Sequence, residues 1–305
     1  MEVAKGKTSR GWKSVLKIII PYLIVVAVFE VIGALLSGID IRHMRGTQQT
    51  TPQLFVMSFM SLIGTFCVVW FFTTKIDKKS FKSIGFERIL VGKDMLLGLI
   101  TGFVIMLSGF SILIATHQLQ VVSIKPVFLD LLLSTGLFIV VAIGEEVFTR
   151  GYILRNLVVS FHKYVALFVS AFIFSIMHLA NQDISLISLS IIFLSGLVLG
   201  LPYLFTKNLW FPIALHFSWN FFQGPIFGFN VSGTKTYKLI ETNYTQANIW
   251  NGGKFGFEGS LIAVLFLAGA LVVLYFLFRN RKTVGQNDVE INDLEPTNVE
   301  PVLES

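Results

Sequence analysis

The stretch Ala142-Ile143-Gly144-Glu145-Glu146-Val147-Phe148-Thr149-Arg150-Gly151 sets two carboxylates and a guanidinium inside an otherwise apolar helix. The uncharged run before it, Leu131 to Gly144, has 14 residues, whereas crossing a bilayer core takes about 20 helical residues. A helix of full length must therefore carry Glu145 and Glu146 into the hydrocarbon or its edge. Charges there cost at least about 2–3 kcal/mol each, so they face a protein interior or a wet cavity and mark function.

The rest of the composition agrees with a membrane setting. Of 305 residues, 54% are hydrophobic and 14% charged, with 30 Phe and a mean hydropathy of +0.73. Soluble domains average about 25% charged residues. The expected fold is all-α, a polytopic membrane protein of about eight transmembrane helices enclosing an intramembrane polar site. The single cysteine, Cys67, lies in Thr65-Phe66-Cys67-Val68-Val69-Trp70, which allows no intrachain disulfide and no cysteine-based metal site. It reads as a small buried apolar residue. The net charge of +6 comes from short basic segments between apolar runs, where it serves orientation and lipid headgroup contact. Membrane lipid is therefore an expected partner, and nucleic acid is not.

Taken in order, residues 1–17 form a basic lead-in with Lys5, Lys7, Arg10, Lys13, Lys17 and Trp12; residues 18–278 form the transmembrane domain. The first helix, Ile18 to Leu36, lacks the small-residue cleavage site of a signal peptide and reads as retained. Glu30 within it is expected to make a hydrogen-bonded contact between helices. Helices are further expected over Leu54–Thr73, Met95–Thr116, from Pro126 through the opening motif to Val159, between Lys163 and Asp183, over Ile184–Phe205, from Leu209 to Phe222, and over Leu261–Phe278. Residues 75–88 mix lysines with Ile76, Phe81, Ile84 and Phe86, a pattern expected on the membrane surface. A loop rich in Gly, Asn and Thr precedes the last helix. The tail, 279–305, turns acidic and is expected to be disordered. With both termini cytoplasmic, inner segments hold 18 of the 24 Lys and Arg; Arg42, Arg45, Lys125, Lys235, Lys238 and Lys254 lie outside. The positive-inside rule favours that orientation.

Three short patterns carry the chemistry. In Glu145-Glu146-x-x-x-Arg150, residues four apart share a helix face, so Glu146 pairs with Arg150. Glu145, rotated about 100° around the axis, is left unpaired. The others are Phe174-x-x-x-His178 and His216-x-x-x-Asn220. A turn near Ser160 would bring Glu145 and His178 to within about 4–5 Å in depth. Glu145 and His178 could then hold and deprotonate a water, while His216 and Asn220 donate hydrogen bonds to a carbonyl oxygen as it becomes an oxyanion. That set describes water-driven amide hydrolysis without a covalent intermediate, and no Ser or Cys stands out as a nucleophile. Glu145, His178 and His216 are equally adequate ligands for one divalent metal such as zinc. The His-Glu-x-x-His pattern is absent, so such a metal would be ligated across helices; both alternatives stay open.

In this order on successive hydrophobic helices, the three patterns resemble the motifs of the CPBP family. These are the CAAX protease and bacteriocin-processing (Abi) intramembrane endopeptidases, which include type II CAAX prenyl endopeptidases. The resemblance covers about residues 85–225. It implies that Glu145 and His178 activate water, that His216 and Asn220 serve the oxyanion, and that Glu146 and Arg150 support the site, with Phe174 beside them. For this family both a metallopeptidase and a metal-free glutamate mechanism are implied. The expected protein is thus an endopeptidase of a bacterial plasma membrane, acting on a membrane-associated peptide or protein in peptide maturation or bacteriocin self-immunity. The competing readings are a non-enzymatic immunity or sensor scaffold and a transporter relaying protons through Glu30, Glu145 and Glu146.

Overall fold

The computed structural model describes residues 10–42, 48–86 and 90–281. The helices are α1 (Arg10–Leu36), α2 (Thr51–Phe71), α3 (Val91–Ala115), α4 (Phe128–Glu146), α5 (Arg155–Ser160), α6 (Lys163–Met177), α7 (Leu186–Thr206), α8 (Trp210–Phe221) and α9 (Leu261–Phe278). In lipid every backbone polar group must be satisfied within its own segment, which is why uncharged runs of this length become helices. Their outward faces keep apolar side chains such as Leu16, Ile20, Phe168 and Phe172 exposed. The chain is a multi-pass membrane protein.

Among the described residues six helical segments, rather than the expected eight, have the length and composition to cross a bilayer: Arg10–Leu36, Thr51–Ile76, Val91–Ala115, Phe128–Ser160, Leu186–Thr206 and Leu261–Phe278. Of the other two, α6 is shorter than the sequence suggests, whereas the helical run of α8 continues as a π-helix past the expected end at Phe222 to Ile226. α6 has 15 residues and α8 has 12, about 22 and 18 Å at 1.5 Å per residue, against a core of about 30 Å. α6 stops because the chain turns through His178 and Asn181 and reaches Asp183 with φ of 55°. α8 passes into a π-turn, Phe222–Ile226, that contains Pro225.

The fold is mostly helical but not all-α. β1 (Leu119–Ile124) pairs antiparallel with β2 (Ile240–Tyr244), with Leu119 opposite Tyr244 and an irregularity between Val121 and Ser123. The Gly-, Asn- and Thr-rich stretch before α9 is therefore a folded cap, although it reads as a loop. The segment at 75–88 also differs from a surface-lying strip. Its 3₁₀ turn, Phe81–Ile84, is tucked inward: Tyr203 donates to the buried Ile84 carbonyl at 2.8 Å, and the Leu209 N–H donates to Gly85 O at 3.0 Å. Residues 87–89 lie outside the described residues, as do 1–9, 43–47 with Arg45, and the tail from 282.

Two further expectations are corrected. Cys67 is exposed on the outer face of α2, because that face turns to lipid while Val68 and Val69 turn inward. Glu30 is half-buried on α1 and makes no hydrogen bond among the described residues, so the expected interhelical bond is not formed.

Close packing of small residues brings α8 to its place. A Cβ added at Gly98 would come within 2.6 Å of Phe211 O, and one at Gly102 within 2.7 Å of Ser218 Cβ and 2.8 Å of Trp219 N. Glycines on α3 thus let the α8 backbone approach closely, the usual device where helices associate in lipid. Across that contact Ser218 donates to Leu99 O at 2.7 Å.

Candidate active site

The α4 helix does not end at Glu146 but passes into a π-helical segment, Val147–Leu154, every residue of which is buried. Such π-bulges inside α-helices are frequent at functional sites. Here the bulge follows the two acids and contains Arg150. The arginine folds back so that Nη1 donates to Glu146 Oε1 at 2.6 Å and to Thr149 Oγ1 at 2.8 Å, while Nη2 donates to Gly196 O at 3.2 Å. Arg150 is 1% exposed and Glu146 not at all, so this is a dry ion pair held by its geometry. The guanidinium also lies 4.4 Å from the Phe174 ring centroid, a cation–π contact that spreads its charge over the aromatic face.

His216 joins the pair from α8. Its Nδ1 sits 2.9 Å from Glu146 Oε1; a carboxylate accepts, so Nδ1 carries the proton and Nε2 turns the other way. His178, the residue that caps α6, is held in the same manner. Its Nδ1 lies 2.8 Å from Phe174 O, and because a carbonyl only accepts, Nε2 of the neutral ring bears the lone pair. Phe174 therefore serves twice, with its ring beneath Arg150 and its carbonyl fixing His178. The same ring lies 4.7 Å from the His178 ring and edge-on to His216 at 6.2 Å.

Both free imidazole nitrogens face one atom. Glu145 Oε2 lies 3.9 Å from His178 Nε2 and 3.9 Å from His216 Nε2. That oxygen is buried and accepts no hydrogen bond. Glu145, His178, His216 and Asn220 all line one cavity of about 300 Å³, together with apolar walls from Leu54, Phe138, Val141 and Leu199. The structure thus brings the four expected catalytic residues together and places Glu146, Arg150 and Phe174 directly behind them. Glu30 is not part of this cavity.

As possible metal ligands, Glu145, His178 and His216 are of the right type, and each histidine has its far nitrogen anchored as zinc-binding histidines usually do. The spacing is less suitable. Donors at about 2.1 Å from a tetrahedral zinc lie about 3.4 Å apart, and here the carboxylate oxygen is 3.9 Å from each nitrogen. Among the described residues no group of three His, Cys, Asp or Glu side chains is arranged to hold a metal ion.

Residues 127–222 match the family model of Type II CAAX prenyl endopeptidase Rce1-like proteins. The match spans less than half of the chain. It contains all three patterns, from Glu145 to Asn220, and lies within the 85–225 stretch that carries the resemblance. The Rce1-like match supports an endopeptidase. A comparison with curated proteins gives no match.

The cavity is also built from residues that the patterns do not reveal. Glu258, 7% exposed, lines the same cavity. Its Oε1 accepts from Trp219 Nε1 at 3.1 Å and its Oε2 accepts from Ser232 N and Oγ at 2.8 and 2.7 Å. It ties the cap before α9 to α8, one residue from Asn220. Asn181 Nδ2 donates to Ser232 O at 3.0 Å and fastens the same cap to the turn after α6. The only sequence signal for Glu258 is an acid just ahead of the apolar run at Leu261; nothing in its spacing links it to the three patterns.

Proposed function

We propose that this protein is an intramembrane endopeptidase that hydrolyses a peptide bond in a membrane-associated peptide or protein. The reading rests on one observation, that Glu145 Oε2 lies 3.9 Å from each of two imidazole nitrogens. That gap exceeds direct hydrogen-bond range, yet a water about 2.8 Å from each neighbour fits it. Glu145 Oε2 and His178 Nε2 both accept, so such a water donates a hydrogen bond to each and keeps a lone pair for the scissile carbonyl.

Glu145 takes the proton as the water oxygen bonds to the carbonyl carbon, then returns it to the leaving nitrogen. The oxyanion is met by Asn220 and by His216, whose Nε2 donates when the ring has taken up a second proton from solvent before substrate binds, opposite the Glu146 carboxylate. Preorganised donors of this kind are each worth about 10²–10³ in rate. Glu146, Arg150 and Phe174 hold both rings in register. The 3.9 Å separation of the Glu145 oxygen from each imidazole nitrogen, wider than the roughly 3.4 Å between zinc ligands, supports the metal-free alternative. The resemblance to the CPBP family supports peptide maturation or bacteriocin self-immunity in a bacterial plasma membrane, with both termini cytoplasmic.

The test is Glu145→Gln, which keeps shape and removes the base. Membranes carrying wild-type protein should release peptides that membranes carrying the variant do not, at equal expression and insertion. A general base contributes about 10²–10⁴ in rate. Identical peptide profiles from the two would remove the hydrolase reading and leave the scaffold.

A further inference from the structure

A second concavity lies away from the catalytic cavity, on the outer side of the bundle between α6, α7 and α9. It has a volume of about 340 Å³ and is lined by Tyr164, Leu167, Leu197, Leu201, Leu271, Val272, Tyr275 and Phe276. Its walls are aliphatic and aromatic, and its outer edge is open, with Val272 and Phe276 exposed.

Three basic residues crowd its polar end. Lys163 Nζ lies 5.0 Å from the Phe205 ring and 5.1 Å from the Tyr164 ring. Phe205 in turn stacks edge-on with Tyr275 at 6.1 Å. Arg279 lies over the same Tyr275 at 5.8 Å and over Phe276 at 4.6 Å. Lys207 stands over Tyr203 at 5.9 Å, and burial together with the neighbouring Lys163 pulls it down to about 8. Among the described residues none of the three is paired with a carboxylate. Like charges gathered without an acid repel one another, and an anion placed between them would relieve that repulsion.

We propose that this groove binds one anionic phospholipid, with an acyl chain along the α6–α7–α9 walls and its phosphodiester among Lys163, Lys207 and Arg279. The chemistry is complementary at both ends: an apolar trough for the chain and, among the described residues, a cationic rim without a carboxylate partner for the headgroup. Each basic residue near an anionic lipid surface contributes about fivefold in binding. Three acting on one phosphodiester should set that lipid apart from the zwitterionic lipids around it.

Native mass spectrometry of the full chain, released from micelles doped equally with dioleoyl phosphatidylglycerol and dioleoyl phosphatidylcholine, reads the preference directly. The wild type should retain the anionic lipid at least about tenfold over the zwitterionic one. The triple variant Lys163→Gln, Lys207→Gln, Arg279→Gln should bring that ratio to near unity. A control with the same charge loss elsewhere, Lys75→Gln, Lys78→Gln, Lys82→Gln, should keep it. Val272→Trp, an exposed position that fills the trough, should lower retention without touching any cation. Inorganic phosphate in excess should not displace the lipid; displacement would mean a free-anion site. No preference in the wild type, or equal loss in both triple variants, would overturn the proposal.

Discussion

Glu146 and His216 meet across 70 residues of sequence through a single contact, Nδ1 to Oε1 at 2.9 Å, on the same oxygen that takes the Arg150 guanidinium at 2.6 Å. One carboxylate oxygen thus orients the histidine of α8 and neutralises the arginine of the π-bulge. The two acids are adjacent in sequence yet opposite in environment. Glu146 is fully buried and paired, whereas Glu145 keeps a side chain that is 29% exposed to the cavity.

Removing the guanidinium leaves the carboxylate buried without its charge partner. Arg150→Ala should therefore lower stability by about 3–5 kcal/mol, visible as a reduced Tm in detergent and a lower folded yield. Arg150→Lys should recover only part of it, because an ammonium lacks the fork that reaches Glu146, Thr149 and Gly196 together. A Tm for Arg150→Ala equal to that of the wild type would show that the pair contributes nothing.

Asn220 shares a helix face with His216 and lines the cavity without contributing to the ion-pair network. Asn220→Ala should lower kcat by about 10²–10³ and leave KM within a few-fold, since an oxyanion donor acts chiefly in the transition state. The check is single-substrate kinetics with a peptide found in the Glu145→Gln comparison. A change confined to KM would assign Asn220 to substrate binding.

Chelation separates the two mechanisms that the residue types allow. With donors 3.9 Å from the Glu145 oxygen, water-mediated catalysis predicts that exhaustive dialysis against a chelator leaves activity within about twofold of untreated enzyme. A loss of activity restored by stoichiometric zinc would instead mean that the side chains close by about 0.5 Å around an ion.

The α3–α8 contact should be intolerant of bulk. Gly102→Val places branched carbon where Ser218 Cβ and Trp219 N stand 2.7 and 2.8 Å from a Cβ. Because the neighbour is backbone, α8 must shift and carry His216 and Asn220 with it. Overpacking of this kind costs about 1–3 kcal/mol, and activity should fall more than stability does. Gly92→Val, with nothing within 4 Å of its Cβ, is the control that should do neither.

The cap should respond to acid. The Lys125 ammonium, 2.9 Å from Glu241 Oε2, and the Ser123 hydroxyl beside it hold the Glu241 carboxyl below its usual range. A carboxyl lowered on folding adds stability above its unfolded pKa and loses it as pH falls through the folded value. Amide exchange in β1 and β2, corrected for intrinsic rates, should thus quicken between about pH 5 and 3 relative to α3. The shift should be small, because the pair is exposed, and absent in Glu241→Gln.

Much of the site was legible from residue types and spacing. The four-residue interval from Glu146 to Arg150 is a local consequence of helical pitch, and it held even though the helix loosens into a π-bulge there. The depth match between Glu145 and His178 followed from the turn at Ser160 and the fixed rise per residue. Glu258, Asn181 and the antiparallel pairing of Leu119 with Tyr244 were not legible, since each depends on partners far away in the chain with no periodic signal. The length of α6 was overestimated because hydropathy records that a run is apolar, not where tertiary contacts end its helix.

The sequence by itself determined that this chain spans a membrane, which residues are chemically capable, and that Glu146 rather than Glu145 takes the arginine. Those outcomes depend on composition and on neighbours within one helical turn. Tertiary structure alone decided that His178 and His216 turn the same nitrogen toward one oxygen, because each ring is fixed by an acceptor on another turn or another helix. It also decided that a cap from residues 227–260 covers the cavity, through hydrogen bonds whose geometry exists only once α6, α8 and α9 are packed.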